Sequence, residues 1–174
     1  MKTQQEQYEA IVIDPPWPGP GEARSLKGGS QVNLIPYSTM TGIQIAEMPI
    51  GEIATASAQL WIWATSRSIS DAERLLQLWG FAYGGLFIWR KPPGLGLRVR
   101  HDSEFLLHGV RKNAHLRLPA PPQTHRWPRP KRHSEKPSEA YEMIRRQSAE
   151  PRIDIFARQS RPGFEAWGNQ APKS

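Results

Sequence analysis

Two adjacent prolines, Pro15 and Pro16, constrain this chain more than any other pair of residues. Neither carries a backbone N–H, so neither can extend a sheet ladder. Directly before them, Glu9–Asp14 (EAIVID) is a short apolar, β-branched run, the pattern of a buried strand. The prolines stop that strand at Asp14, leaving a carboxylate at its carboxyl end and a large aromatic ring, Trp17, just beyond.

The rest of the sequence alternates helix and strand signals. Residues 17–36 are rich in Gly, Pro and Ser and read as a mobile surface loop. Thr41–Met48 reads as a short helix capped by Thr41 and closed by Pro49. Gln59–Ala64 (QLWIWA) reads as a second buried strand. In Ser70–Trp79, residues Ala72, Leu75, Leu76 and Trp79 share one helical face, with Ser70 as the expected cap and Gly80 as the stop. Phe81–Arg90 and Glu104–Val110 follow as strands. Five of the fourteen residues from Pro119 to Arg132 are Pro, which predicts a stiff loop without regular structure. Pro137–Gln147 reads as a helix with Pro in first place, Arg152–Ala157 as a buried strand, Arg161–Gly163 as a turn, and Glu165–Trp167 as a short last segment. Such alternation predicts an α/β sheet covered by helices on both faces. Ligands of such sheets sit beyond the carboxyl ends of the strands, where Asp14 and Arg158 fall. The tryptophans at 61, 63, 79 and 89 are expected in the core.

At 174 residues, with 38% apolar and 22% charged side chains, the chain is expected to form one domain spanning 1–174. No apolar run reaches the roughly 20 residues of a membrane helix, and the first ten residues lack a signal peptide's apolar stretch. There is no Cys for a disulfide or thiolate metal site, and the five His show no ligand spacing, so no metal is expected. A cytoplasmic setting, away from membranes, fits these features. The formal charge of +7 is concentrated: residues 90–136 hold 12 Lys/Arg against 3 Asp/Glu, a local +9, while the remainder nets −2. A basic segment of this kind, with the Pro-rich loop at about 111–135 at its centre, points to nucleic acid, or to a solvated loop with no partner.

Asp14-Pro15-Pro16-Trp17 offers a carboxylate, fixed carbonyl acceptors and an indole face. A carboxylate and a carbonyl accept both hydrogens of an exocyclic amino group, and an indole stacks on the ring that bears it, which is how a flipped-out base is held. The same four residues also suit a proline-terminated strand followed by a core Trp.

In its context D-P-P-W resembles the adenine N6-methyltransferases related to the eukaryotic messenger-RNA methyltransferase catalytic subunit, a family with bacterial and phage members. Further segments resemble that family in order: Ile35–Met40 (P-Y-x-T-M), Trp61–Thr65, Leu78–Phe81 (L-W-G-F), Ile88–Lys91 (W-x-K) and Glu104–Val110 (E-x-x-L-x-G-V). The series continues with His133–Pro137 (H-S-x-K-P) running into Tyr141–Ile144, Arg152–Arg158 and Trp167–Gln170 (W-G-N-Q). The resemblance covers about residues 8–170. It implies a Rossmann-like S-adenosylmethionine-dependent methyltransferase fold in permuted motif order, with helices on both faces of a mostly parallel sheet. It implies transfer of a methyl group to N6 of adenine in nucleic acid, DNA ahead of RNA, by a monomer or homodimer that can act with a partner subunit.

By the same resemblance Asp14, Pro15, Pro16 and Trp17 are catalytic. Asp14, Lys136, Asp154, Arg158, Asn169 and Gln170 hold the cofactor, and Trp17, Tyr37 and Glu104 meet the substrate. An ammonium at Lys136, beside a helix N-terminus, favours an anion there on physical grounds as well. Lys136 as a plain surface lysine stays open. So does Asp154 pointing to the opposite sheet face from a ligand, and Glu104 as a strand-edge acid paired with Arg98 or Arg100. Two departures from the family matter: only 13 residues precede Asp14, so Gln4–Tyr8 must close over the cofactor or affinity is low, and segment 92–132 is short for target recognition. Two rival readings remain: a non-catalytic nucleic-acid-binding subunit, or methylation of another planar amino nitrogen, such as cytosine N4 or protein Gln.

Overall fold

Strand β1, Tyr8–Ile13, ends one residue before Asp14, where the prolines deny the ladder its donors. The computed structural model describes residues 6–18, 39–92, 100–114, 119–130 and 135–168. Tyr37, Asn169, Gln170, Arg98, His133, Ser134 and nearly all of the expected 17–36 loop lie outside the described residues.

After β1 come helix α1 (Gly42–Ala46), strand β2 (Ala54–Ala64), helix α2 (Ile69–Leu78) and strands β3 (Ala82–Arg90), β4 (Ser103–Val110) and β5 (Thr124–His125). Helix α3 (Ser138–Gln147) and strands β6 (Arg152–Ile155) and β7 (Glu165–Trp167) complete the fold. They form a sheet in the order β5-β3-β4-β2-β1-β6-β7, and β4 alone among the described strands runs against the others. This is the expected mostly parallel α/β sheet.

Alternation along the strands sorts side chains between two faces. Ile11, Ile13, Leu60, Ile62, Ile153 and Ile155 pack with Ile45 of α1 and with Ala72, Leu75 and Leu76 of α2. Val12, Trp61, Trp63, Trp89 and Leu106 pack on the opposite face against Ala140, Tyr141 and Ile144 of α3. Trp61, Trp63, Trp79 and Trp89 are all buried, as the sequence predicts. At Gly109 the sheet and α2 come so close that a Cβ would collide with the Leu76 side chain, which is why strand β4 carries glycine there.

Several boundaries differ from expectation. The capping residue of α2 is Ser68, not Ser70, because Ser68 Oγ is already drawn to the backbone N–H of Thr65 and turns the chain two residues earlier. Strand β2 begins at Ala54, five residues before the apolar run, since its first stretch pairs with β1 through Tyr8 and is only partly buried. Pro137 stands at the cap rather than inside α3. The Pro-rich segment does contain regular structure: Thr124–His125, free of proline, lies parallel to Ile88–Trp89. Strand β6 stops at Ile155 because Phe156 turns into the left-handed region at φ 64, a conformation that costs a non-glycine residue about 1–3 kcal/mol. That turn bends the chain back across the carboxyl edge of the sheet.

Candidate active site

The reversed direction of β4 sets the geometry of the site. Strands β1, β2 and β3 bring their carboxyl ends to one edge, and β4 brings its amino end there, placing Glu104 opposite Trp89. Asp14, Lys91 and Glu104 therefore share an edge, although they stand up to 90 positions apart in sequence. Lys136, just before α3, drops between them over the Trp63 ring, 5.5 Å from its centroid. Its Nζ lies 3.1 Å from Asp14 Oδ1 and 3.0 Å from Glu104 Oε2, and Lys91 Nζ takes Glu104 Oε1.

These groups are almost enclosed: the Lys136 and Asp14 side chains are 11% and 16% exposed. Burial alone lowers the affinity of Lys136 for its proton, but the Asp14 and Glu104 carboxylates outweigh it and the ammonium is held more firmly than usual. Burial pushes Glu104 up, and the Lys136 and Lys91 ammoniums together bring it below the ordinary carboxylate range. Asp14 has only a share of one lysine. Burial therefore dominates and raises its pKa, with Lys136 and Arg158 pulling down and Glu104 adding to the rise. Asp14 is thus a more basic carboxylate, and a stronger hydrogen-bond acceptor, than a solvated one.

The prolines are held in place. Pro15 O accepts the Trp17 N–H at 2.7 Å and Pro16 O accepts the Met40 N–H at 2.9 Å. Each carbonyl keeps a second lone pair, so the outward acceptors expected from the sequence are half committed. Trp17 Nε1 donates to Trp63 O at 2.9 Å, which fixes the indole beside Asp14.

On the other side of Asp14, a cavity of about 20 Å³ is lined by Lys136, Tyr141, Asp154, Arg158 and Arg161 among others. Asp154 points to the α3 face, accepts the Tyr141 hydroxyl at 3.1 Å, and so reaches this cavity rather than the opposite sheet face. Burial lifts its pKa to about 7 against the pull of Arg161 and of the Tyr141 hydrogen bond, with Asp14 adding to the rise. A groove of about 320 Å³ between the Pro-rich loop and α3, lined by Pro128, Arg129 and Pro130, shares Glu135 and Lys136 with the cavity.

The structure thus unites Asp14, Pro15, Pro16, Trp17, Glu104, Lys136, Asp154 and Arg158; Tyr37, Asn169 and Gln170 fall outside the described residues. Glu104 is paired with Lys91 and Lys136. Sequence reasoning missed Lys91 and Arg161. Lys91 was legible in the W-x-K spacing, whereas nothing in the sequence around Arg161 marks it.

An open, mostly parallel sheet with helices on both faces and a charged cleft at its carboxyl edge defines a Rossmann-like α/β fold. Residues 8–170 match the MT-A70 family, and the chain belongs to it. It is 29% identical over 190 residues to N(6)-adenine-specific methyltransferase METTL4 of Mus musculus, covering 95% of this chain and 38% of that relative. It is 25% identical to Type II methyltransferase M.MunI of Mycoplasma sp, over 96% of this chain and 79% of the relative. It is 28% identical to N6-methyladenosine RNA methyltransferase MTA1 of Pyricularia oryzae, over 93% of this chain and 46% of the relative. The chain therefore spans less than half the length of the mouse and fungal relatives.

Proposed function

We infer that this chain transfers a methyl group from S-adenosylmethionine to N6 of adenine in nucleic acid. One observation carries the reading: a basic, nearly enclosed carboxylate, Asp14, stands between a rigid proline carbonyl and a cavity lined by cations and carboxylates alike.

The donor set fits such a cofactor. An amino-acid end bears a carboxylate and an ammonium, and the cavity offers Lys136, Arg158 and Arg161 to the first, and Asp14 and Asp154 to the second. At about 20 Å³ it is far below the roughly 300 Å³ of a small-molecule pocket, so these residues form only its polar floor. When bound, S-adenosylmethionine supplies an electrophilic methyl group.

The chain's own residues then hold and activate the acceptor. Asp14 and the second lone pair of Pro15 O accept the two N–H hydrogens of the target amino group. Those bonds draw electron density back from the ring onto nitrogen. Trp17, fixed by its bond to Trp63 O, walls the base. Lys136, held on two sides, keeps Asp14 ionised enough to accept, yet burial leaves it basic enough to take the proton that N6 sheds after methylation. Positioning and electrostatics supply most of the rate, with little acid–base work before transfer.

Asp14→Ala should keep the fold and nucleic-acid affinity while cutting N6-methyladenine formation by about 100-fold or more. Retained full activity would remove Asp14 from the mechanism, and loss of nucleic-acid binding together with fold would leave its role structural.

A further inference from the structure

Arg161 lies in the turn between β6 and β7, at a position that none of the family-like segments includes. It is nonetheless one of the most enclosed charges among the described residues, its side chain 8% exposed. Its guanidinium carbon lies over the Tyr141 ring, 3.6 Å from the centroid, and Nη2 donates to Lys136 O at 3.0 Å. Arg161 lines the cavity, and its buried Nε–H meets no hydrogen-bond acceptor among the described residues. The nearest anion, Asp154 Oδ2, stands at 3.7 Å, beyond a hydrogen bond. A buried N–H without an acceptor costs about 1–3 kcal/mol, so this donor is poised for an acceptor that enters the cavity.

Lys136 is placed differently. Two of its three donors are already taken by Asp14 and Glu104, and its charge is shared between them. An incoming carboxylate would have to compete with both. At Arg161 it would complete an unmet donor on a planar fork already pinned by an aromatic ring.

We propose that Arg161 is a cofactor-binding residue that receives the carboxylate of the ligand's amino-acid end, while Lys136 serves chiefly to hold Asp14. This rests on the methyltransferase reading. Tyr141 acts as the platform that fixes the fork, and the Arg161–Lys136 carbonyl bond couples the turn to the start of α3.

Calorimetric titration of the full chain with two probes separates the possibilities. S-adenosylhomocysteine carries the amino-acid end, and 5′-methylthioadenosine carries the adenosine but lacks the carboxylate. Arg161→Gln should weaken S-adenosylhomocysteine by about 10- to 100-fold, the worth of a hydrogen bond to a charged group, and leave 5′-methylthioadenosine within about twofold. Arg161→Lys, which keeps the charge without the fork, should fall between. Equal weakening of both probes by Arg161→Gln would make the residue structural and overturn the proposal, as would unchanged binding of both. If the unaltered protein binds neither probe, the methyltransferase reading fails and this inference falls with it.

Discussion

Replacing Asp154 by Asn removes a buried carboxylate while keeping its shape and an oxygen to accept the Tyr141 hydroxyl. In the ligand-free protein burial lifts that carboxyl from 3.8 to about 7; Arg161 and the Tyr141 bond pull it down, and Asp14 lifts it. A folded-state value above the unfolded one means that the folded protein keeps this proton longer than the unfolded chain does. The stability tied to it is complete below about pH 3.8 and is lost as pH rises through about 7. At about 1.36 kcal/mol per pH unit, the gap between the two values corresponds to about 4 kcal/mol lost by mildly alkaline pH. Asn escapes that loss. Asp154→Asn should therefore match the parent within about 1 kcal/mol near pH 4 and exceed it by up to about 4 kcal/mol near pH 8, a rise in Tm of roughly 8–15 °C for a chain of this size. Urea unfolding at a series of pH values measures the difference directly. A gap between variant and parent that stays constant from pH 4 to 8 would mean that Arg161 keeps Asp154 ionised throughout, and the reasoning from burial would be refuted.

Glu104→Gln removes the negative charge that raises Asp14, so the acid limb of kcat/KM against pH should move to lower pH; an upward move would show that Glu104 acts on the base instead. Arg152 donates to the carbonyls of Arg145 and Ser148 at the end of α3, at 3.0 and 2.8 Å, and to Ser148 Oγ at 3.0 Å. Arg152→Met should lower urea stability by about 3 kcal/mol through these stranded acceptors, and an unchanged midpoint would contradict that role. Arg126→Gln and Arg129→Gln, on exposed loop positions, should each reduce the slope of log affinity for nucleic acid against log salt by about 0.9, and slopes equal to the parent's would remove the loop as the docking surface.

The fold was legible where a short-range pattern decides it. The β-branched run before Pro15, the apolar face of α2 and the four core tryptophans each follow from spacing alone. Less legible were the features that depend on strand direction and long-range approach. Nothing local reveals that β4 runs backward, yet that reversal alone brings Glu104 beside Asp14 and Lys136. Arg111 illustrates the same limit. It falls in the basic segment whose charge points to nucleic acid, but its guanidinium is spent on the carbonyls of Gly51, Ala54 and Thr55, so it ties β4 to the start of β2. Charge counting cannot distinguish a cation facing solvent from one drawn back onto the sheet. Arg161 was read only as part of a turn, because its partners Tyr141, Asp154 and Lys136 come from three other segments.

Incubating the purified chain with isotope-labelled S-adenosylmethionine and a mixture of DNA and RNA, then digesting to nucleosides, tests most directly whether Asp14 and Pro15 present an adenine amino group for methylation. Label should appear in N6-methyladenine from the unaltered protein and vanish with Asp14→Ala. Label on cytosine, on protein, or on no product at all from a chain that binds the cofactor would contradict it.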